Sequence, residues 1–390
     1  MTGTAASPLA LYVHWPFCRA KCPYCDFNSH VATHIDEARF AAAYRREMQH
    51  MADHYARGRN LVSVFFGGGT PSLMSPALVA DILDTADRLF GFTPGIEITA
   101  EANPTSAEAA VFEGFRSAGV NRVSLGVQSL DDAALAFLGR EHSVAEALDA
   151  VAAARRRFER VSIDLIYARQ HQTLAAWEHE LREALGLGLD HLSLYQLTIE
   201  PRTVFHTRAG RGERLVPQDE LAAEMYELTA SLTAQAGLPA YEISNHAAEG
   251  SACRHNLVYW RAHDWIGIGP GAHGRLSVGG GRLGLATRRS PAGWLDSVDA
   301  NGHGIETVTE DDAGDAVAEM LMMGLRLDEG VSLSAVAARH GDAGTFIDPD
   351  ALAGLVAAGM LAQDGDRVRV TPPGRLLLDR ILSELLAVDG

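Results

Sequence analysis

Tyr12-Val-His-Trp-Pro-Phe-Cys18-Arg-Ala-Lys-Cys22-Pro-Tyr-Cys25-Asp-Phe27 holds three of the four cysteines in a chain of 390 residues. The spacing CxxxCxxC supplies an odd number of thiolates. A cubane 4Fe-4S cluster has four irons, so three thiolates leave one iron open to a small chelating ligand, whereas an electron-transfer ferredoxin supplies a fourth. An open iron points to chemistry rather than electron storage. Two other uses of the thiols compete with the cluster. A disulfide framework needs more cysteines in a chain of this length, and no signal peptide is expected before Cys18. A zinc site takes four ligands, which His14 or His30 would have to complete. Pro16 and Pro23 keep the triplet out of a helix, because a helical proline removes a backbone donor and clashes with the preceding turn. The sequence therefore predicts a loop able to wrap a cluster.

Composition bounds the rest. With 47% hydrophobic residues the chain can bury one large domain and a smaller one. No apolar run approaches the roughly 20 residues that span a bilayer, so membrane contact is expected to be peripheral at most, and the reducing cytoplasm is the expected compartment. A net charge of −17 argues against a nucleic-acid partner, since phosphate binding needs a concentrated positive field. The acidity is uneven: residues 201–290 carry ten Arg against eight acids, and residues 301–390 carry six Arg against sixteen. The middle stretch is the less repulsive one to an anionic small molecule, although a solvated surface has the same composition.

Between residues 9 and 245 short β-rich runs alternate with amphipathic helical patterns, the arrangement of a parallel sheet with helical crossovers. The runs are Leu9 to His14, Leu61 to Phe66, Ile96 to Glu101, Arg122 to Gln128, Val161 to Ile166 and His191 to Leu197. Ser75-Pro76 reads as an N-cap with proline in the first turn, and Gly119 as the stop of a helix beginning near Ser106. Six consecutive units without a dinucleotide-binding fingerprint lean toward a partial barrel over an open doubly wound sheet. Residues 246–305, centred on Trp265-Ile-Gly-Ile-Gly-Pro-Gly-Ala-His-Gly274, read as a compact turn-rich segment. Residues 306–390 read as a helical domain in which Arg367-Val-Arg-Val370 belongs to a short strand pair before the last helix, a winged-helix-like pattern. Its acidity favours packing or partner contact over DNA.

Polar residues that would be costly inside an apolar strand collect at the predicted strand C-termini: Tyr12, Gly67-Gly-Gly-Thr70, Glu101, Gln128 and Asp164. Barrels place their sites there. Glu101 and Asp164 are read as ligand-binding groups, with a satisfied core hydrogen bond as the structural alternative. The three glycines permit close backbone approach, although a tight turn has similar needs, and the motif is neither GxGxxG nor a P-loop.

These residues resemble the radical S-adenosylmethionine superfamily, whose CxxxCxxC loop follows the first strand and whose glycine-rich segment follows the second. The resemblance implies that S-adenosylmethionine chelates the open iron and is cleaved to a 5'-deoxyadenosyl radical. The fuller pattern, with Glu101-Ala-Asn-Pro104 and Ser124-Leu-Gly-Val-Gln-Ser129, is similar to the oxygen-independent coproporphyrinogen oxidase family along nearly the whole chain. By that resemblance Cys18, Cys22 and Cys25 ligate the cluster, and Tyr12, Tyr24, Gly68 and Glu101 hold a first S-adenosylmethionine. Gly69, Thr70, Gln128, Arg140 and Asp164 match the positions of a second cofactor molecule in the oxidases. The arginine fork of Arg140 suits a carboxylate, and a surface salt bridge would explain it as cheaply.

Two departures separate the chain from the oxidases. Their triplet continues CxxxCxxCxC, where this sequence has Phe27, and they carry a longer N-terminal extension than the seventeen residues before Cys18. Cys253-Arg-His-Asn-Leu-Val-Tyr-Trp260 further contains HNxxYW, which resembles the signature of HemW-type haem chaperones. That resemblance implies a haem contact at His255, with Tyr259 and Trp260 against the macrocycle, Arg254 and Arg261 near its propionates, and Cys253 as a second candidate ligand. Without it, His255 reads as a hydrogen-bonded structural residue and Cys253 as a small buried one.

The expectation is an α/β radical S-adenosylmethionine fold: a partial (β/α)6 barrel over residues 1–245, the turn-rich haem-motif segment 246–305 and the helical domain 306–390. Its expected function is to bind haem and deliver it to client haemoproteins such as respiratory enzymes, with the cluster and S-adenosylmethionine assisting. Radical decarboxylation of coproporphyrinogen III is the alternative, with a related radical methyltransferase third. Whether the protein is an enzyme is left open by the sequence.

Overall fold

Hydrophobic and polar residues alternate along the first strand, β1 (Leu9–Trp15), and fix which way each side chain faces. Leu9, Leu11, Val13 and Trp15 are fully buried in the main apolar core. Tyr12 and His14 take the opposite face. The same period runs through β2 (Leu61–Gly68), β3 (Phe92–Ala102), β4 (Arg122–Gln128), β5 (Arg160–Tyr167) and β6 (His191–Gln196). One face carries Val64, Phe66, Ile98, Val123, Leu125, Ile163 and Leu192, all in the main core. The other carries Ser63, Glu97, Thr99, Arg122, Ser124, Ser162, His191 and Ser193, all buried. Arg122 donates to Ser162 across the strands at 2.9 Å, and Ser162 and Ser124 lie 2.8 Å apart. A buried polar face of this kind lines a curled lumen instead of packing on helices, and among its groups Thr99 Oγ1 and His191 Nδ1 have no partner among the described residues.

This is a computed structural model, and it describes residues 7–32, 34–278, 281–340 and 346–386. The crossovers are α1 (Glu37–His54), α2 (Pro76–Phe90), α3 (Phe112–Ala118), α4 (Val144–Arg155) and α5 (Leu174–Gly186), with α6 (Asp219–Gln235) following β6. Ser75 caps α2 by accepting from the Leu78 N–H at 3.2 Å, with Pro76 behind it. The helix expected from Ser106 is broken into Ser106–Ala109 and α3, which ends on left-handed Gly119.

The segment after Ser244 departs from its expected form. It continues the same sheet as β7 (Asn245–Ala247), β8 (Asp264–Ile268), β9 (His273–Val278), β10 (Gly281–Thr287) and β11 (Ile305–Asp311). The strand order is β11-β10-β9-β8-β1-β2-β3-β4-β5-β6-β7. β8 pairs parallel to β1, and β9, β10 and β11 follow as antiparallel neighbours. The glycines that look like punctuation in Trp265 to Gly274 thus lie in two paired strands and the tight turn between them, and no sheet boundary falls at residue 245. α7 (Arg254–Trp260) precedes β8, and α8 (Pro291–Asn301) packs beside α1.

The C-terminal part has its own core, in which Val317, Leu321, Val336, Leu361, Val368, Ile381 and Leu385 are buried. It comprises α9 (Ala313–Gly324), β12 (Val331–Ser332), α10 (Leu333–His340), α11 (Pro349–Ala357), β13 (Leu361–Asp364), β14 (Arg367–Val370) and α12 (Leu378–Leu385). The expected pair is β13 with β14, and β12 completes a three-stranded antiparallel sheet. Among the described residues no helix is long and apolar enough to cross a membrane.

Candidate cofactor site

The cysteine loop leaves β1 and is pinned at both ends, because Phe17–Cys18 pairs with His30–Val31. The end of β2 braces it. Gly69 donates its N–H to the Trp15 carbonyl at 2.7 Å, and Thr70 donates to the Phe17 carbonyl at 2.8 Å. Gly68 has φ +110°, and a Cβ there would stand 2.5 Å from the His14 ring; a Cβ on Gly69 would stand 2.6 Å from the Phe17 carbonyl oxygen. The glycines are needed so that β2 can lie against the chain entering the loop.

Side chains then reach the sulfurs. Thr70 Oγ1 donates to Cys18 Sγ at 3.4 Å and accepts from Asn103 Nδ2 at 3.1 Å. Arg140 donates through Nη1 to Cys22 Sγ at 3.4 Å, and through Nη2 to Asn103 Oδ1 at 2.5 Å and the Gly126 carbonyl at 3.0 Å. Its fork therefore serves sulfur, an amide and a carbonyl. Asn103, the hub of this network, lies outside the residues expected at the site. Its signal was legible, as a polar residue two places beyond Glu101 in Glu101-Ala-Asn-Pro104, held in turn by Glu108, which accepts from the Asn103 N–H at 2.7 Å. Burial pushes the Cys18 and Cys25 thiols above their usual range, so deprotonation there depends on a bound metal centre.

The loop forms one wall of a cavity of about 1130 Å³ that also receives Tyr24, Gly68, Gly69, Thr70, Glu101, Gln128, Arg140 and Asp164. Eleven of the thirteen residues expected at the site, the three cysteines included, thus line one space. Glu101 and Asp164 stand at its floor. Burial and the Asp164 carboxylate push the Glu101 carboxyl up to about 8, against a hydrogen bond from the Gly68 N–H. Burial also raises Asp164, which accepts from Ser124 Oγ at 3.1 Å. Gln128 ends β4 at φ 68°, a left-handed conformation that a non-glycine residue adopts at a cost of about 1–3 kcal/mol, and such strain clusters at ligand sites. The far wall comes from elements without a recognisable motif: Tyr195 at the end of β6, Tyr226 on α6, and Arg375 and Leu376 of the C-terminal domain. Phe27 stands at the rim, 59% exposed.

Tyr12 and His255 do not join this group. Tyr12 is partly exposed but does not line the cavity, its hydroxyl 3.1 Å from His14 Nδ1 and its ring stacked on Phe65. His255 is only 1% exposed. Its Nδ1 is 2.9 Å from Ser63 Oγ, its Nε2 2.6 Å from the Tyr259 hydroxyl, and its ring stacks on Phe65 at 4.9 Å. Neither ring nitrogen is free for a metal in this arrangement. The His255 ring meets Tyr12 and Phe65, the latter three residues and roughly 10 Å of strand before Gly68, so it lies below the cavity toward the N-terminal ends of the strands. Cys253 is equally buried, with its thiol donating to Glu97 Oε1 at 3.4 Å and burial pushing it up to about 12. Arg254 donates to the Gly95 carbonyl and Arg261 pairs with Glu329 at 2.8 Å; neither lines the cavity.

The donor set fits a cluster better than a single ion. Among the described residues no three His, Cys, Asp or Glu side chains converge closely enough to hold one metal ion. Three thiolates on a cubane each bond a different iron, so they need to face one volume without meeting at a point. Of the two histidines that a zinc site would draw on, His14 is occupied on both nitrogens, by Tyr12 and by the Asn28 carbonyl at 2.9 Å, and His30 keeps Nε2 without a partner among the described residues.

Comparison with known proteins agrees with this geometry. Residues 12–184 match the radical SAM superfamily, and residues 312–377 match the HemN C-terminal domain. The chain is 37% identical over 389 residues to the Escherichia coli protein named heme chaperone HemW, covering 97% of this chain and 98% of that one. It is 41% identical over 330 residues to the Bos taurus protein named radical S-adenosyl methionine domain-containing protein 1, mitochondrial, covering 83% and 74%. The solved structure of coproporphyrinogen III oxidase (HemN) from Escherichia coli superimposes with a TM-score of 0.82 at 24% identity, covering 98% of this chain and 91% of that one, a likeness of fold. The chain belongs to the radical S-adenosylmethionine superfamily and, within it, to the coproporphyrinogen oxidase-like family that includes the HemW proteins. Membership implies a 4Fe-4S cluster and S-adenosylmethionine.

Proposed function

We propose that this protein is a haem chaperone, which binds haem and delivers it to client haemoproteins such as respiratory enzymes. The near full-length likeness to a protein named heme chaperone HemW supports the reading. The observation that carries it over porphyrinogen oxidation is Phe27. An exposed aromatic side chain stands at the cavity rim where, by the family resemblance, an oxidase has a further cysteine.

In this reading Cys18, Cys22 and Cys25 hold the cluster, while Thr70 and Arg140 donate hydrogen bonds to its sulfur ligands. The cluster, when bound, supplies an electron-transfer centre with one iron open to the amine and carboxylate of S-adenosylmethionine. Tyr24, Gly68 and Glu101 flank that cofactor, and Tyr12 supports it from below. Gly69, Thr70, Gln128, Arg140 and Asp164 line space for a second cofactor molecule. The cavity, at about 1130 Å³, exceeds the usual ~300–1,000 Å³ of a small-ligand site. Its far wall of Tyr195, Tyr226, Leu376 and Arg375 suits a flat macrocycle that bears carboxylates. Ligation of haem by His255 would require α7 to leave the barrel.

The test is anaerobic, on the cluster-reconstituted protein. Stoichiometric haem binding and transfer to an apo-haemoprotein support the proposal. Robust conversion of coproporphyrinogen III to protoporphyrinogen IX would overturn it.

A further inference from the structure

The HNxxYW helix occupies a position that its use as an external haem contact does not explain. α7 lies across the N-terminal ends of β2, β3 and β5, with His255 and Val258 buried and Arg254 exposed. Glu97 of β3 fastens its start, accepting from the N–H groups of Arg254 and His255 at 3.1 Å each and from Arg160 Nη1 at 2.5 Å. His255 ties it to β2 through Ser63 and closes on its own helix through Tyr259. The other end is fastened to the C-terminal domain, where Ala262 packs in the second core and Arg261 meets Glu329. Burial holds the His255 ring neutral, with its pKa lowered to about 3. A neutral imidazole has one donor and one acceptor nitrogen, and two hydroxyl partners satisfy either tautomer.

From this ring a continuous set of contacts runs to the cysteine loop. His255 stacks on Phe65, and Phe65 stacks on Tyr12 with ring centroids 6.3 Å apart. The Tyr12 hydroxyl is bonded to His14, and His14 Nε2 to the carbonyl of Asn28, the third residue after Cys25. Asn28 in turn donates through Nδ2 to the carbonyls of Pro270 and Arg289 at 2.8 and 2.9 Å. Glu101, on the strand next to β2, shares the lumen with Tyr12 and raises its hydroxyl further, after burial. The His255 ring also meets Tyr12 directly at 6.3 Å, so one ring contact, doubled by the path through Phe65, and two hydrogen bonds separate the buried histidine from the loop that bears the cluster ligands.

We propose that α7 is a plug across the N-terminal end of the barrel and His255 a positioning residue, which through Ser63, Phe65 and Tyr12 sets the floor on which S-adenosylmethionine is bound. This inference is independent of the haem reading, because it concerns only the N-terminal end of the barrel, below the cavity, and its link to the cofactor half.

The experiment compares Ser63→Ala, His255→Ala, the double variant and His255→Gln, each reconstituted anaerobically. Equilibrium binding of S-adenosylmethionine and the change it causes in the electron paramagnetic resonance signal of the reduced cluster are measured beside haem affinity. Ser63→Ala and His255→Ala are each expected to weaken S-adenosylmethionine binding on the order of tenfold, with a non-additive double variant and partial rescue by glutamine, while haem affinity holds. Wild-type S-adenosylmethionine binding in Ser63→Ala and His255→Ala would overturn the proposal. So would loss of haem binding in His255→Ala that Ser63→Ala does not share. Ser63→Ala removes only a hydroxyl, so the test stands where His255→Ala fails to fold.

Discussion

Thr70 donates its hydroxyl to the sulfur of Cys18 at 3.4 Å, so the residue that ends the glycine-rich segment also touches a cluster ligand. A hydrogen bond to a thiolate favours the more negative, reduced cluster. Thr70→Val keeps the side-chain shape and removes the donor. A bond to a charged acceptor contributes about 1.5 kcal/mol and only its strengthening on reduction moves the potential, so the variant is expected to have a potential lower by up to roughly 60 mV for one electron. A redox titration followed by electron paramagnetic resonance reads this, and an unchanged potential would contradict it.

Glu101 gives the cofactor-free protein a defined pH dependence. Its folded pKa, pushed up to about 8, lies above the ordinary 4.5. The unfolded chain therefore releases this proton first as pH rises. The stability associated with Glu101 is full below about 4.5 and is lost as pH rises through about 8. Glu101→Gln is expected to match the wild type in melting temperature near pH 4.5 and to exceed it by a few degrees near pH 8.5. Parallel melting curves across that range would show that the carboxyl is not held protonated.

The four cysteines divide three to one. Cys22→Ser is expected to lose most of the iron and sulfide after reconstitution. Cys253→Ser is expected to retain both, since its thiol is buried against Glu97 at the far end of the barrel. Iron and sulfide analysis distinguishes the outcomes, and cluster loss in Cys253→Ser would place it wrongly here.

Glu97 carries the plug. Burial alone would raise its carboxyl, but Arg122, Arg160 and the N–H groups of Arg254 and His255 hold it below the usual range. The stability it contributes is present above about 4.5 and lost as pH falls through the lower folded value. Glu97→Ala leaves two arginine charges uncompensated at a buried site and is expected to destabilise the protein by about 3–5 kcal/mol at pH 7. Denaturant unfolding measures it; a loss under 1 kcal/mol would rule out this role.

The barrel was legible because six β-rich runs alternate with amphipathic helical patterns and no dinucleotide-binding fingerprint interrupts them. Glu101, Gln128 and Asp164 were findable as polar residues at strand ends, and Tyr24 only through the family resemblance. The far wall was not, since Tyr226 and Arg375 come from helices brought to the cavity by tertiary packing alone. The segment from Asp264 to Thr287 misled because a strand that pairs with β1 across 255 residues leaves only its glycines as a local signal. His255 shows the limit of motif reading: the HNxxYW spacing puts His255 and Tyr259 on one face of a helix, but only the fold shows that the face turns inward to Ser63 and Phe65.

The claim that this radical-enzyme scaffold carries haem is tested most directly by haem transfer. Haem-loaded protein with an intact cluster is mixed anaerobically with an apo-haemoprotein, and the gain of the client's own absorption spectrum is followed. Transfer faster than from free haem, falling when Cys22→Ser removes the cluster, is the predicted result. Transfer no faster than from free haem, with or without the cluster, would contradict it.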